Sequence, residues 1–474
     1  MKLKLDKIIR DDDIYPRTQL SQKTIENYAE ALKAGAQFPP ILVQRIKENS
    51  TEKTISLDGF HRLEAHKKAE MDGIEAEYWK AEVLNKMEWL EELRIKSAQC
   101  NLSHGDRLRE GDLQFQLLRI VQARSVDKLV GIIHELAQKV AKTDGYISQL
   151  ISAEVNRRKA SRDALAYRLH LLGWTQEEIG EVIGVDQRTV SVITKNFNTK
   201  LFGSEYQSGL TAEQIATNHN LDEALVWAIL LEGKNDIERF KLFGNSRYGN
   251  EQPEMSDYWK FAERDPRLGQ ANYPGNLYGQ EAMNIIYRFS RQGDLVIDPM
   301  AGGGTIIDAC LILGRRCRAY DINPAKSERH DIEMHNALEP LPDRTKECHL
   351  VILDPPYFKK KETEYGCDEF TKDRDTFLNN MKVVAQNCHN ILKQGGYLAL
   401  LYGQYLDYDN EFASILSFDL ATCIVELNFR PVLCIQSPLT FNNQWHGSAI
   451  EKAKQYNPWR ILPVSKDWLV FKKV

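Results

Sequence analysis

The sequence predicts a multidomain chain: a small α+β domain first, an all-α middle with two helix-turn-helix repeats, and a carboxyl-terminal α/β domain of parallel strands. Three observations carry this. Proline occurs at Pro16, Pro39 and Pro40, then not again until Pro253, so the stretch between is free of the residue that breaks helix interiors. Within that stretch one pattern recurs in register, at residues 175–193 and 211–229. Beyond it, two apolar runs of strand length each break into Asp-Pro, at Asp298-Pro299 and Asp354-Pro355, and the first opens through Gly302-Gly303-Gly304 into a helix-like run. Strand, glycine turn and helix form a nucleotide-binding crevice, where ligands sit at the carboxyl ends of parallel strands.

At 474 residues the chain is long enough for two to four domains, and 42% hydrophobic with 27% charged residues is the balance of an ordinary soluble protein. No apolar run approaches membrane-span length, which gives a cytoplasmic expectation with no membrane partner. Eight scattered cysteines include no C-x-x-C and no paired His/Cys spacing, so reduced, buried thiols are expected and no metal. A net charge of −5 gives no global pull towards nucleic acid, so such contacts must come from local basic faces.

Residues 1–81 read as strand (3–9), helix (21–33), strand (41–45) and strand (54–57), then D-G-F-H-R-L-E-A opens a helix at 58–65. With its turn Gly59-Phe60-His61-Arg62, this layout resembles the amino-terminal domain of the ParB and sulfiredoxin superfamily, which carries G-x-R-R or G-C-H-R there. The resemblance implies that Gly59, His61 and Arg62 face a nucleotide phosphate: glycine permits close approach, the helix start offers N–H groups, and arginine supplies a fork for oxyanions. Phe60 replaces the reactive cysteine of sulfiredoxins, which removes that redox chemistry. A single arginine follows His61, leaving nucleotide hydrolysis open, and the alternative is that Arg62 and Asp58 brace the helix start.

Residues 82–243 form the helical region, with helices expected at 82–98, 106–123 and 126–141 from apolar residues on one face. In the two repeats Thr175 and Thr211, Ile179 and Ile215, Gly180 and Ala216, Asp186 and Asp222, and Val190 and Val226 hold equal offsets. Each copy reads as helix-turn-helix, with threonine capping the first helix and aspartate the second. The first copy presents Gln187, Arg188, Thr189 and Ser191, types suited to base edges and phosphates, while the second presents Glu223, Ala224 and Leu225 with Trp227 behind. The first is therefore expected to read DNA and the second to pack or to pair with another subunit; helical scaffolding for both is the alternative. A helix-turn-helix reader that dimerises would prefer symmetric sites, which leaves a homodimer among the partners. Residues 244–254, rich in Gly and Asn and containing Pro253, read as a linker.

Residues 255–474 are the expected catalytic block. The run N-Y-P-G-N (272–276), then G-D-L-V-I-D-P-M-A-G-G-G-T, A-Y-D-I-N and D-P-P-Y, resembles the S-adenosylmethionine-dependent amino-methyltransferases of DNA over most of residues 272–402, and implies a Rossmann-like fold. It implies cofactor contacts from Asp298, Ala301, Gly302, Gly304, Thr305, Asp321 and Asn336, with Asp298 accepting from the amino-acid ammonium and Asp321 from the ribose hydroxyls. Asn336 stands where many relatives carry Asp.

Asp354, Pro355, Pro356 and Tyr357 are the expected chemical centre. An exocyclic amine is a poor nucleophile while its lone pair is delocalised into the base. Asp354 and the Pro355 carbonyl suit its two N–H groups, the prolines withhold donors of their own, and Tyr357 offers a ring to a flipped base. Lys359 and Lys360 are placed for phosphates, with a solvated loop as alternative. Aspartate first in the motif favours, by resemblance, N6 of adenine in double-stranded DNA. The alternatives are N4 of cytosine, or a non-catalytic ParB-like DNA-binding or regulatory protein. Guanine-N2 enzymes of RNA share Asp-Pro-Pro-Tyr but would not be expected to carry the first two blocks.

Overall fold

The computed structural model describes residues 1–17, 20–103, 110–270, 272–273, 275, 277–356, 370–403, 416–438 and 465–474. Packing divides the chain into two units, Met1–Arg162 and Asp163–Val474.

In the first unit, β1 (Lys2–Leu3), β2 (Ile8–Ile9), β3 (Ile41–Glu48), β4 (Thr51–Ser56), β5 (Ile74–Tyr78) and β6 (Leu84–Asn85) form a mixed sheet in the order β1-β5-β3-β4-β2, with β6 also on β3. The expected strand at 3–9 is two short strands separated by a 3-10 turn at Leu5–Lys7. Helix α1 (Gln22–Lys33) starts where expected because Ser21 Oγ accepts from Thr24 N, and its Ile25, Ala29 and Leu32 bury with Ala65 of α2 (Phe60–Lys68). Then follow α3 (Lys86–Ser103), α4 (Glu110–Ala123), α5 (Ile132–Lys139) and α6 (Asp144–Leu171), the last crossing the division between units. The helix expected at 126–141 is broken: Gly131 at φ +74° separates a 3-10 turn from α5.

The second unit begins with the repeats. Helices α7 (Gln176–Ile183) and α8 (Gln187–Asn196) form one pair; α9 (Thr199–Gln207) leads to a second pair, α10 (Ala212–His219) and α11 (Glu223–Leu230), and α12 (Asp236–Phe243) follows. The copies match in detail. Thr175 and Thr211 each make a full capping box, with Glu178 and Gln214. Gly184 (φ +71°) and Asn220 (φ +52°) each end the first helix in the left-handed region, and Asp186 and Asp222 cap the second. Their surfaces differ: Val190 is the buried residue of α8, whereas Ala224 to Ile229 are all buried on α11. The second copy thus packs, in the interior, against the helix that follows the glycine turn.

Residues 244–254 do not behave as a linker. Asn250 is fully buried, accepting Asn245 N at 2.9 Å and donating to Asp265 at 2.9 Å, and Glu254 N donates to Asn284 Oδ1 at 2.7 Å. The boundaries expected after 81 and 243 likewise differ from the packing division, because α7–α12 share one apolar core with the α/β layer.

That layer comprises α13 (Gly279–Phe289), β7 (Leu295–Asp298), α14 (Thr305–Leu313), β8 (Arg316–Asp321), β9 (Glu333–Met334), β10 (Cys348–Leu353), α15 (Arg374–Ile391), β11 (Leu392–Gly403), α16 (Leu416–Val425), β12 (Phe429–Pro438) and β13 (Ser465–Lys473). The sheet runs β12-β13-β11-β10-β7-β8-β9, parallel from β11 to β9, with β13 antiparallel between β11 and β12. Alternate residues bury on opposite faces: Val296, Leu350 and Ile352 towards α13 and α14, and Ile297, Val351 and Leu353 towards α15 and α16. This is a doubly wound sheet. From β7 the chain steps outward to β8 and β9, then returns to β10 on the other side, so the strand order reverses between β7 and β10. A crevice opens at such a reversal, at the carboxyl ends of the strands. No described helix is long and apolar enough to cross a membrane.

Candidate active site

Both Asp-Pro segments end at that reversal. β7 delivers Asp298, fully buried, whose Oδ1 accepts from Met300 N at 3.2 Å and whose Oδ2 has no hydrogen-bond partner among the described residues. Burial pushes its carboxyl well above the ordinary aspartate range, and the negative charges of Asp354 and Asp321 push the same way. Asp321 ends β8 and Asp354 follows β10, the two strands that flank β7, so the three acids converge on one place.

The glycine turn is held by backbone hydrogen bonds and by the carboxylate at the end of β8. Ala301 N donates to the Tyr320 carbonyl and Gly304 N to the Ala301 carbonyl, both at 2.8 Å. Gly302 (φ +49°) donates its N–H to Asp321 Oδ2 at 2.9 Å, and Asn323 N donates to Asp321 Oδ1 at 2.8 Å. Gly304 (φ +78°) caps α14, whose first residue, Thr305, is buried. Asn336 folds back on its own backbone, with Oδ1 accepting from Leu338 N at 3.1 Å.

Asp354, half-buried, and Pro355, buried, follow β10 directly, with Pro356 half-buried next. Tyr357, Lys359 and Lys360 lie outside the described residues. Gln187 and Arg188 are exposed on α8; Thr189 donates its hydroxyl to Asp186 at 3.0 Å, and Ser191 is half-buried. In the first unit the residues expected to face phosphate have other partners. Arg62 donates to Asp58 at 3.0 Å and to the Pro39 and Pro40 carbonyls at 2.6 and 3.1 Å, and His61 Nε2 accepts from Ser21 N at 3.1 Å. These contacts hold the start of α2, and Gly59 (φ +82°) is needed because a Cβ would strike Ile41.

Several crevice residues carry no signal in the sequence pattern. The ring of Tyr273 lies against the glycine turn, 3.1 Å from where a Gly302 Cβ would stand, and burial with the nearby Asp321 charge pushes its hydroxyl up to about 12. Its place in N-Y-P-G-N is visible in the sequence; the contact is not. Ile322, directly after Asp321, is 59% exposed, and Met334, paired with Asp321 across β8 and β9, is 80% exposed. The two side chains stand exposed at the carboxyl ends of neighbouring strands, where an apolar ligand face would lie. Arg168, Asp308, Arg329 and Asp331 form a buried ionic cluster behind the turn.

No protein-family model matches the chain. Among curated proteins it is similar to the Type II methyltransferase M.HpaI of Haemophilus parainfluenzae, at 30% identity over 142 residues, covering 27% of this chain and 43% of that protein. The chain thus spans less than half the length of this curated relative. Among solved structures it is similar to TrmN of Thermus thermophilus (16% identity, 42% of this chain and 50% of that one, TM-score 0.29). A SAM-dependent methyltransferase of Methanosarcina mazei gives 12% identity, 40% and 97% coverage and a TM-score of 0.28. A provisionally assigned DNA modification methylase, also of Thermus thermophilus and in complex with S-adenosyl-L-methionine, gives 20% identity, 29% and 50% coverage and a TM-score of 0.21.

Proposed function

We propose that this chain is a DNA methyltransferase that transfers a methyl group from S-adenosylmethionine to the exocyclic amine of a base flipped out of the duplex, with N6 of adenine favoured. One observation carries the reading: Asp298, Asp321 and Asp354 converge at the strand reversal, beside a glycine turn, with a buried acceptor on Asp298 that finds no partner among the described residues. An orphaned buried carboxylate oxygen fits the ammonium of an amino-acid cofactor. The similarity to the type II methyltransferase points the same way.

In this reading Asp298 takes the ammonium, Asp321 faces the ribose, and Ile322 and Met334 cover the adenine ring of the cofactor, with Asn336 beside it. When bound, the cofactor supplies an electrophilic methyl on sulfonium. The chain supplies orientation: Asp354 and the Pro355 carbonyl accept the two N–H bonds of the target amine and draw its nitrogen towards tetrahedral geometry, and Tyr357 stacks on the flipped base. The α8 face with Gln187 and Arg188 reads duplex DNA, and the first unit docks DNA or a partner rather than holding a nucleotide, since Arg62 is already committed to Asp58.

The deciding experiment incubates the purified chain with unmethylated DNA and labelled S-adenosylmethionine, followed by nucleoside analysis. N6-methyladenine is expected. N4-methylcytosine would refute the base assignment alone, and absence of label in any nucleic acid would sink the enzyme. Asp354→Ala should abolish transfer while cofactor binding survives.

A further inference from the structure

Two arginines tie the helix pairs to the crevice, and each reaches a carboxylate at a helix start. Arg318, on β8 three residues before Asp321, donates to Glu178 at 2.6 Å and stacks on Trp174 at 4.2 Å. Glu178 belongs to the capping box of α7. Arg168, at the end of α6, has three carboxylate partners: Asp222, the cap of α11; Asp308, in the first turn of α14; and Asp331, at 2.8 Å.

Asp308 is the junction. It accepts Gly269 N at 2.7 Å and Arg329 at 2.8 and 3.1 Å. Gln270, the next residue, donates its N–H to the Gly303 carbonyl at 2.9 Å, and Arg329 lies so close to Gly304 that a Cβ there would collide with its guanidinium. Burial would push Asp308 and Asp331 up, but Arg329 and Arg168 outweigh it and hold both below the ordinary range, so the cluster is ionised. With Arg168 gone, two buried carboxylates would share Arg329 alone, and the repulsion would act directly on the first turn of α14.

We infer that Arg168 is a positioning residue for the glycine turn, carrying the placement of the α11 start into Gly269, Gln270 and Gly304. The second helix pair thereby acquires a role. Buried on nearly every residue of α11, it offers no exposed second-helix face, and it sets the geometry of the turn instead. The inference rests on the cofactor reading above.

The test uses the full chain and S-adenosylmethionine by calorimetry. Arg168→Gln should weaken cofactor binding about tenfold, in the lower part of common coupling factors, and Asp222→Asn about threefold, just below them. Asparagine still caps α11, so an affinity change in this variant reports loss of the tie to Arg168 and not loss of the cap. Arg315→Gln is the control. Arg315 is fully buried and holds Asp236 of α12 at 2.5 and 2.9 Å, beyond the opposite end of α14, so its loss should lower Tm similarly and leave Kd within about twofold. Hydrogen exchange on the cofactor-free proteins should quicken at the Gly302, Gly304 and Thr305 amides in Arg168→Gln and not in Arg315→Gln. Equal affinity losses in those two variants, or unchanged exchange at the turn in Arg168→Gln, would overturn the inference. Should Arg168→Gln fail to fold, Asp222→Asn decides by the same measurements. If the unaltered chain binds no S-adenosylmethionine, the cofactor reading falls, and exchange at the turn still decides the role of Arg168.

Discussion

The N–H of Gly302 donates to Asp321 Oδ2 at 2.9 Å, so the turn after β7 and the acid at the end of β8 are one object. Asp321 Oδ1 is also engaged, by Asn323 N. The carboxylate therefore fixes two backbone segments before any ligand arrives. Asp321→Ala should cost about 1.5–3 kcal/mol, the range for hydrogen bonds to a charged group, and weaken cofactor binding more than stability. Asp321→Asn keeps one acceptor and should lose less of both. Denaturant unfolding and calorimetry read the two effects; a variant that melts earlier but binds normally would remove Asp321 from the cofactor contacts.

A buried acid with a raised pKa makes stability depend on pH with a definite sign. Asp298 is protonated in the cofactor-free fold over a range where the unfolded chain has lost its proton. Its contribution is fully present below the unfolded value of about 3.9 and is lost as pH rises through the higher folded value. Binding an ammonium there favours the carboxylate, so a proton should leave on binding and affinity should rise with pH. Asp298→Asn should flatten the stability profile, melt higher than the unaltered chain near neutral pH, and bind cofactor weakly. Calorimetry in buffers of different ionisation enthalpy counts the proton; finding none released would detach Asp298 from the ammonium.

Gly180 tests whether the first helix pair needs its small residue. A Cβ there would stand 2.5 Å from the Val185 carbonyl, which is backbone and cannot rotate away. Gly180→Ala should thus destabilise by about 1–3 kcal/mol despite the better helix propensity of alanine, because the overlap is overpacking against a fixed atom. In the second pair Ala216 fills the same offset and is buried. Ala216→Gly should cost about 1 kcal/mol from propensity alone. Urea denaturation of both variants gives the comparison, and a neutral Gly180→Ala would show that the pair relaxes.

Local rules make much of this legible. Thr175, Asp186, Thr211 and Asp222 cap the helices that their spacing predicts, since a cap depends on residues two or three positions away. Asp298, Asp321 and Asp354 stand at the strand ends that the apolar runs imply. What escapes depends on distance along the chain. Asn250 has the surroundings of a turn in the sequence, yet Asp265, fifteen residues on, holds it in the interior. Arg168 meets Asp331 across 163 residues, and no periodicity announces such a pair. The fork of Arg62 suits a phosphate equally well on sequence alone; in the fold, Asp58 and the Pro39 and Pro40 carbonyls occupy it.

The two helix pairs should separate cleanly under mutation, since one shows its second helix to solvent and the other buries it. Arg188 is exposed on α8, whose anchor Val190 is buried and whose cap Asp186 is bonded to Thr189 at 2.8 Å. Arg188→Ala should leave Tm and cofactor affinity unchanged, weaken duplex binding, and reduce the slope of log affinity against log salt by about 1 if it meets a phosphate. If Arg188 meets a base edge instead, the loss is about 1–3 kcal/mol at its preferred sequence and the salt slope is kept. Leu225 sits at the offset of Thr189 and is buried on α11, so Leu225→Ala should cost about 2–5 kcal/mol of stability, with no specific effect on DNA. Fluorescence anisotropy with labelled duplex across a salt series, beside thermal melts, reads both. A drop in duplex affinity for Leu225→Ala at full folding, with none for Arg188→Ala, would move the DNA-reading face from the first pair to the second.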